Sequence, residues 1–370
     1  MAINASNTVD MRVAQELSTK VWGLTKDPKT FLRTLIGGAQ GNVPTEWHTS
    51  TKFDYDNTSE SNEVSSHTDR KSPPNVISAE GFQRGNATLP YINESFEITP
   101  EDLEVPPAGV DPFAWAKFSE VAKYRALATK FDLRMRKRIA NSGELQVAEQ
   151  LTTGAVTFNL VDNKGNTKDI KVNTNQPATG KVALTLDARW NQAASADNRL
   201  ANVETWVETA ITNGDNAPNT MVTSMENWQA LRQDANFVAL QGRRWDPLVS
   251  DKPTYMNGIE VSQVGTLTTE IGAVIKVYVY HASYKNPISG DLVRFVPAEY
   301  LSLFNDAGLG LTHHKGTIKN MKAIKADLAY ADVYTYYAED RYGKGEEKVY
   351  ETSSLDLLQD ARGLMSVKTY

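Results

Sequence analysis

Apolar positions along this chain change their period several times, and each change marks an element. Within residues 8–36, Val13, Leu17 and Val21 recur at helical spacing. Asp27-Pro28 then restarts a helix carrying Phe31, Leu32, Leu35 and Ile36, which Gly37-Gly38 ends. A longer pattern opens at Asp111-Pro112, where Asp suits an N-cap and Pro suits a first helical turn. Phe118, Val121, Tyr124, Leu127, Phe131, Met135 and Ile139 then stay near one stripe. The spacing predicts a long helix over 111–153, with a candidate kink at Asn141-Ser142-Gly143 and a stop at Gly154.

Beyond it the period drops to two. Residues 155–172 predict a β-hairpin turning at Asn163–Asn166, and VALTLD (182–187) predicts a further strand. Residues 198–310 alternate helix and strand and predict a separate α/β unit. A helix starts at Asn202, carries Val203, Trp206, Val207 and Ala210, and ends at Asn213-Gly214. TMVTS is strand-like, and Ser224 caps a helix with Trp228 and Leu231. Asn257-Gly258 marks a turn, and AVIKVYVYHASY and DLVRFVP are strongly strand-like. The last stretch predicts strands in ADVYTYYAED and EEKVYET and a short helix near Leu355–Ala361.

Residues 37–110 differ in kind. They are rich in Asn, Ser, Thr, Gly and Pro, and Phe53, Tyr55, Val64, Phe82 and Ile92 stand singly. Ordering backbone costs about 1–2 kcal/mol per residue, and this segment has little apolar surface to offset that. It is expected to be disordered alone, or ordered by something outside its own domain. A long arm lying on a neighbouring subunit removes the difficulty.

Length and composition bound the rest. At roughly 100–200 residues per domain, 370 residues make two or three compact units. Hydrophobic residues at 40% supply a real core. A net charge of -6 is not that of a free-standing nucleic-acid binder, so any nucleic acid is met weakly or by one face. The absence of cysteine removes disulfides, thiolate nucleophiles and cysteine metal sites. The N-terminus lacks a basic region followed by an apolar run, and no stretch approaches eighteen apolar residues. Neither a signal peptide nor a membrane partner is expected, and synthesis is placed in the cytoplasm.

No catalytic constellation emerges. The histidines are His48, His67, His281, His313 and His314, and none lies in an HExxH or GxSxG setting. His48 and His67 fall in the polar arm, where nothing rigid is expected to position them. Adjacent His313 and His314 on a strand would point to opposite faces and serve poorly as joint ligands. His281 ends a strand and is expected to be structural. Gly308-Leu309-Gly310 lacks a third glycine and a following helix, and no GK[ST] follows Gly37-Gly38. The chain is expected to be no enzyme, with no cofactor or metal residue to nominate.

Charge does carry a signal. Residues 117–138 hold Lys117, Lys123, Arg125, Lys130, Arg134, Arg136, Lys137 and Arg138 against Glu120 and Asp132 alone. The arm is acidic, with Glu46, Asp54, Asp56, Glu60, Glu63, Asp69, Glu80, Glu94, Glu97, Glu101, Asp102 and Glu104 against Lys52, Arg70, Lys71 and Arg84. In a homo-oligomer one subunit's arm can lie over the next subunit's helix, where opposed potentials set register. Candidate inter-subunit residues are Lys123, Lys130, Arg134, Arg136 and Arg138 on the helix, and Glu60, Glu63, Asp69, Glu80, Glu94 and Glu97 on the arm. Two solvated faces, or a basic helix facing DNA phosphates, are the other readings.

The order of elements resembles the major capsid proteins of tailed bacteriophages with the HK97-like fold, an α+β architecture. Within that group it is similar to the phage lambda major head protein family. The stretches that carry the resemblance are DPFAWAKF, ELQVAEQLTTGAVTF, PNTMVTSMENWQALRQD and GIEVSQVG. The resemblance implies an N-terminal arm (1–46) and an extended E-loop (47–105). It implies a peripheral P domain (106–187 and 311–370) built on a spine helix (111–153), and an axial A domain (188–310). It also implies self-assembly of hexamers and pentamers into an icosahedral shell in the virion, assembled in the host cytoplasm. That shell would enclose double-stranded DNA held by non-specific contact. A procapsid that expands on packaging, a scaffolding protein, a portal and a decoration protein would accompany it. A twenty-five-residue reach at about 3.3 Å per residue spans roughly 80 Å, well beyond one domain. An encapsulin-like compartment and a soluble α/β enzyme are the alternatives.

Overall fold

The structure is a computed structural model that describes residues 30–37, 43–58, 82–107, 110–161, 167–214, 216–238, 254–255, 261–287, 289–339 and 345–370. The expected helix through Val13, Leu17 and Val21, the hairpin turn at Asn163–Asn166, the turn at Asn257-Gly258 and His67 all lie outside those residues.

The chain begins with α1 (Phe31–Ile36), β1 (Thr45–His48), the hairpin β2 (Lys52–Thr58) and β3 (Phe82–Thr88), and β4 (Ile92–Ile98). Short helices α2 (Pro100–Glu104) and α3 (Pro112–Ala116) lead into α4 (Glu120–Thr153), and the hairpin β5 (Ala155–Val161) and β6 (Thr167–Asn173) follows. Next come β7 (Lys181–Ala183), α5 (Arg199–Gly214), β8 (Thr220–Thr223) and α6 (Met225–Arg232). Then come β9 (Thr254–Tyr255), β10 (Val261–Thr268), β11 (Val274–Tyr280), β12 (Ser283–Lys285), β13 (Leu292–Arg294) and β14 (Tyr300–Phe304). The chain continues through α7 (Asp306–Leu309), β15 (Leu311–Gly316), α8 (Met321–Lys325), β16 (Tyr334–Glu339), β17 (Glu346–Thr352), β18 (Ser354–Leu358) and β19 (Met365–Lys368).

A seven-stranded mixed sheet, ordered β7-β19-β14-β8-β11-β10-β9, forms the middle layer. Period-two alternation sends its side chains to two cores. Met221, Ile275, Val277, Leu301 and Leu303 face Trp206 and Val207 of α5 and Trp228 of α6. Val222, Tyr278, Tyr280 and Phe304 face Phe31 of α1 and Val147 and Leu151 of α4. Two smaller three-stranded sheets, β1-β15-β18 and β16-β17-β4, flank this body along α4.

Several expectations change on the structure. The long helix is two helices. Asp111 caps α3 through the Phe113 amide, the chain turns at Lys117–Ser119, and the Ser119 hydroxyl caps α4 at Ala122. The helix does not break at Asn141-Ser142-Gly143, and α4 runs on to Gly154, which closes it in the left-handed region at φ 68°. Gly143 serves close approach instead. A Cβ there would sit 2.9 Å from an Asp356 carboxylate oxygen and 3.2 Å from the Arg33 guanidinium. Residues 355–361 are not helical. Leu355, Leu357 and Leu358 lie on β18, antiparallel to β15. The expected strand over 182–187 ends at Ala183, since Leu186 takes φ 50° and starts a short 3-10 turn.

The polar arm is not coreless. β4 pairs with β17, and β1 pairs in parallel with β15. Phe53, Ala87 and Leu89 pack on Val172, Leu355 and Leu357, and Ile98 packs on Trp115 and Leu127. Its described strands are therefore ordered by their own subunit. Sparse apolar residues suffice because each one meets a preformed sheet or helix. His48, far from being unpositioned, lies on β1 against His314. The adjacent histidines do face apart, with His313 meeting Asp356. Burial, together with the charges of His48 and His313, holds the His314 imidazole down at about 4.

Buried polar groups of α4 fix it to the body. Glu144 accepts the Phe31, Leu32 and Arg33 amides and the Tyr280 hydroxyl, so it caps α1 from 111–113 residues away. Burial pushes its carboxyl up while those donors pull it down. Gln146 and Gln150 accept the amides of Asp356 and Leu358, and the Gln150 amide donates back to the Asp356 carbonyl at 2.7 Å. Glu144→Gln puts an NH2 among these donors. It is expected to cost about 1–3 kcal/mol, the penalty for unmatched buried groups, measured by urea unfolding of unassembled subunits.

Candidate assembly surface

α4 reads differently along its length. Its C-terminal half is buried in the body, whereas its N-terminal half lies under β4 and β17 on one side and is open on the other. The basic run predicted by the sequence occupies this half. Phe96 of β4 stacks on Phe131 with centroids 4.8 Å apart, and the Arg134 guanidinium lies 5.5 Å above Phe96. Arg138 grips Glu94 in a two-pronged ion pair, Nε to Oε2 at 2.7 Å and Nη2 to Oε1 at 2.5 Å. The complementarity between acidic arm and basic helix is thus met, at this pair, inside one chain. Lys123 is buried and bonds Glu120 one turn away at 2.9 Å.

The other nominated residues divide cleanly. Lys130 is exposed and has no ion pair among the described residues, as do Lys117, Arg125 and Lys137. Glu97 is exposed on β4, and Arg136 is half-buried. Glu60, Glu63, Asp69 and Glu80 lie outside the described residues.

Exposed apolar side chains occupy the segment that leads into α4 and its first turn. Phe113 is 80% exposed, Val121 60% and Phe118 49%, and Val105 and Val110 before them are also exposed. Trp115, by contrast, is buried against Ile98 and Leu127 and donates its indole N–H to the Leu103 carbonyl. The segment is therefore held rigidly while its large side chains point to water. A run of exposed apolar residues with a charged surround is the usual composition of a protein-binding surface.

Beneath this face lies a feature the sequence did not disclose. Lys348 on β17 and Asp132 on α4 form an ion pair at 2.7 Å, with side chains only 2% and 3% exposed. The Tyr350 hydroxyl donates to Asp132 at 2.8 Å, and burial and that carboxylate push the phenol far up. Lys348 and Tyr350 stand two apart on one strand, so they share a face. The available signal was a lysine in register with an inward tyrosine, and an aspartate near the apolar stripe of the helix.

Comparison with known proteins now places the chain. Residues 19–369 match the family profile of phage major capsid protein E. No curated protein sequence matches it significantly. A crystal structure assigned to a prophage capsid protein of E. coli CFT073 superposes with a TM-score of 0.58 at 17% identity, covering 78% of this chain and 80% of the other. The capsid protein of a native GTA particle covers 93% of each chain at 11% identity with a TM-score of 0.47. The first of these carries the fold, which is the HK97-like capsid fold.

Asp132→Asn keeps a partner for Tyr350 but leaves Lys348 buried without a counter-charge. It is expected to lose about 3–5 kcal/mol, and Asp132→Leu with Lys348→Met is expected to recover most of it, both measured by denaturant unfolding. Arg138→Glu is expected to cost about 0.2–1 kcal/mol, as for other half-exposed pairs, with Glu94→Arg restoring it in the double variant. The profile match spans nearly the whole sequence, and this chain belongs to the phage major capsid protein E family, whose role is to form a structural shell.

Proposed function

We propose that copies of this chain close into an icosahedral head shell around packaged double-stranded DNA. The observation that carries the detailed reading is the open face of α3 and α4. Phe113, Phe118 and Val121 are exposed along α3 and the start of α4, where Lys117 and Arg125 are exposed too, and Lys130 and Lys137 are exposed further along α4; none of these cations is ion-paired among the described residues. A neighbouring subunit's acidic loop supplies the complement, through Glu60, Glu63, Asp69, Glu80 and Glu97. Permanent interfaces bury on the order of 2,000–5,000 Å², and an extended loop contributes such area without a large core. Rings form because head-to-tail contacts close by rotation.

In this reading residues 1–46 are the N-terminal arm and 47–105 the extended loop. Residues 106–187 and 311–370 form the peripheral domain, and 188–310 the axial domain around the capsomer axes. On these bounds β7 and β19 of the first share the seven-stranded sheet with β14, β8 and β11 of the second. Assembly proceeds in the host cytoplasm through a procapsid on a scaffolding protein and a portal, with a decoration protein as a later partner. DNA is met by weak, non-specific contact, as a net charge of -6 leaves little general attraction for phosphate.

Expressed full-length chain is expected to sediment as particles of very high mass with capsomers visible by electron microscopy. A stable monomer at high concentration would refute the proposal, and particles filled only with a host protein would turn it towards a cargo compartment. Arg125→Glu with Lys130→Glu is expected to lower particle yield at least tenfold. Subunit stability should change by less than about 0.5 kcal/mol, the range for open surface sites. Undiminished yield would remove the basic face from the interface.

A further inference from the structure

Two histidines and a glutamate meet where β1 joins the edge of β15. The parallel register sets Glu46 opposite His314, and His48 stands two residues along β1. All three therefore project from the same face of the sheet. Their side-chain atoms converge. His48 Nε2 lies 3.0 Å from His314 Nδ1, Glu46 Oε2 lies 3.4 Å from the same His314 nitrogen, and 3.9 Å separates Glu46 Oε2 from His48 Nε2.

We propose that Glu46, His48 and His314 form a binding site for one divalent transition-metal ion of the zinc class.

The triangle has the right size. Tetrahedral zinc with bonds of about 2.0–2.1 Å sets its ligand atoms about 3.4 Å apart, and the three edges here straddle that length. The donors also have the right character. Two imidazoles and a carboxylate favour zinc, copper or nickel over calcium or magnesium, which take oxygen ligands. The imidazoles are held in place beforehand. The Phe53 ring of β2 stacks on His48 at 4.3 Å and on His314 at 4.5 Å, with interplanar angles of 16° and 27°. Glu46 is the exposed ligand, with 59% of its side chain accessible, so the site has an entry path from solvent. Among the described residues this is the one group of three potential ligands with converging donors.

The mechanical effect follows from topology. β1 is a four-residue edge strand, mostly exposed, that lies just before the β2–β3 hairpin. An ion bound to two residues of β1 and one of β15 fastens the root of that hairpin to the body.

The test uses tag-free full-length chain stripped with chelator and dialysed. Zn(II) is titrated by calorimetry and Co(II) is followed by its visible ligand-field bands. One ion per chain, tetrahedral Co(II) bands and an upward shift in Tm with Zn(II) are expected. Glu46→Gln and His48→Gln, both at partly exposed positions, should each weaken binding at least about tenfold while the chain stays folded. His281→Gln should change nothing. No saturable binding, which would leave His48 and His314 a hydrogen-bonded pair only, overturns the proposal. So does one-per-chain binding retained in the Glu46→Gln/His48→Gln double variant.

Discussion

Two glutamines and a glutamate on the inner half of α4 hold this subunit together. Gln146 and Gln150 hydrogen-bond the backbone edge of β18 as a neighbouring strand would, and Glu144 satisfies the start of α1. An unpaired strand edge and an uncapped helix end are both costly when buried. One helix meets both needs with side chains. Through β18 the anchoring reaches β15, and through β15 it reaches β1 and the root of the hairpin. Ser302 and Ser366 extend it by donating to the Leu151 carbonyl from the central sheet. The outer half of α4 is freed to present a surface.

That division explains what could be read from the sequence. The caps at Asp111 and Ser224, the stop at Gly154 and the strands over 274–280, 334–339 and 346–352 were all visible. Each depends on neighbours within a few residues. Errors arose where a distant partner decides the outcome. Leu355, Leu357 and Leu358 fit a helical spacing as well as a strand, and pairing with β15 over forty residues away settles it. Local propensity marks Gly143 of Asn141-Ser142-Gly143 only as helix punctuation and cannot reveal that Arg33 and Asp356 crowd that spot. The polar arm looked coreless because Phe53 and Ile98 meet apolar partners contributed by other parts of the chain. The shell role therefore rests on family membership and the open face of α3 and α4, not on an arm without support of its own.

The candidate surface was legible in outline as a charge pattern and illegible in detail. Sequence shows how many cations a helix carries but not which ones are already neutralised. Arg138 is paired with Glu94 and Lys123 with Glu120, whereas Lys130 is exposed. Likewise nothing local marks Lys348 as buried with Asp132. The same holds for His48, whose companion His314 is 266 residues away.

The strand order of the central sheet has a temporal consequence. β19, residues 365–368, is not at an edge but lies between β7 and β14. Residues 365–368 must have been made before that slot can be filled, and until then β7 has no bonded neighbour in the sheet. Chains that stop short of residue 365 lack the strand that completes the middle layer. Only chains that include residues 365–368 can join β7 to β14 in this sheet.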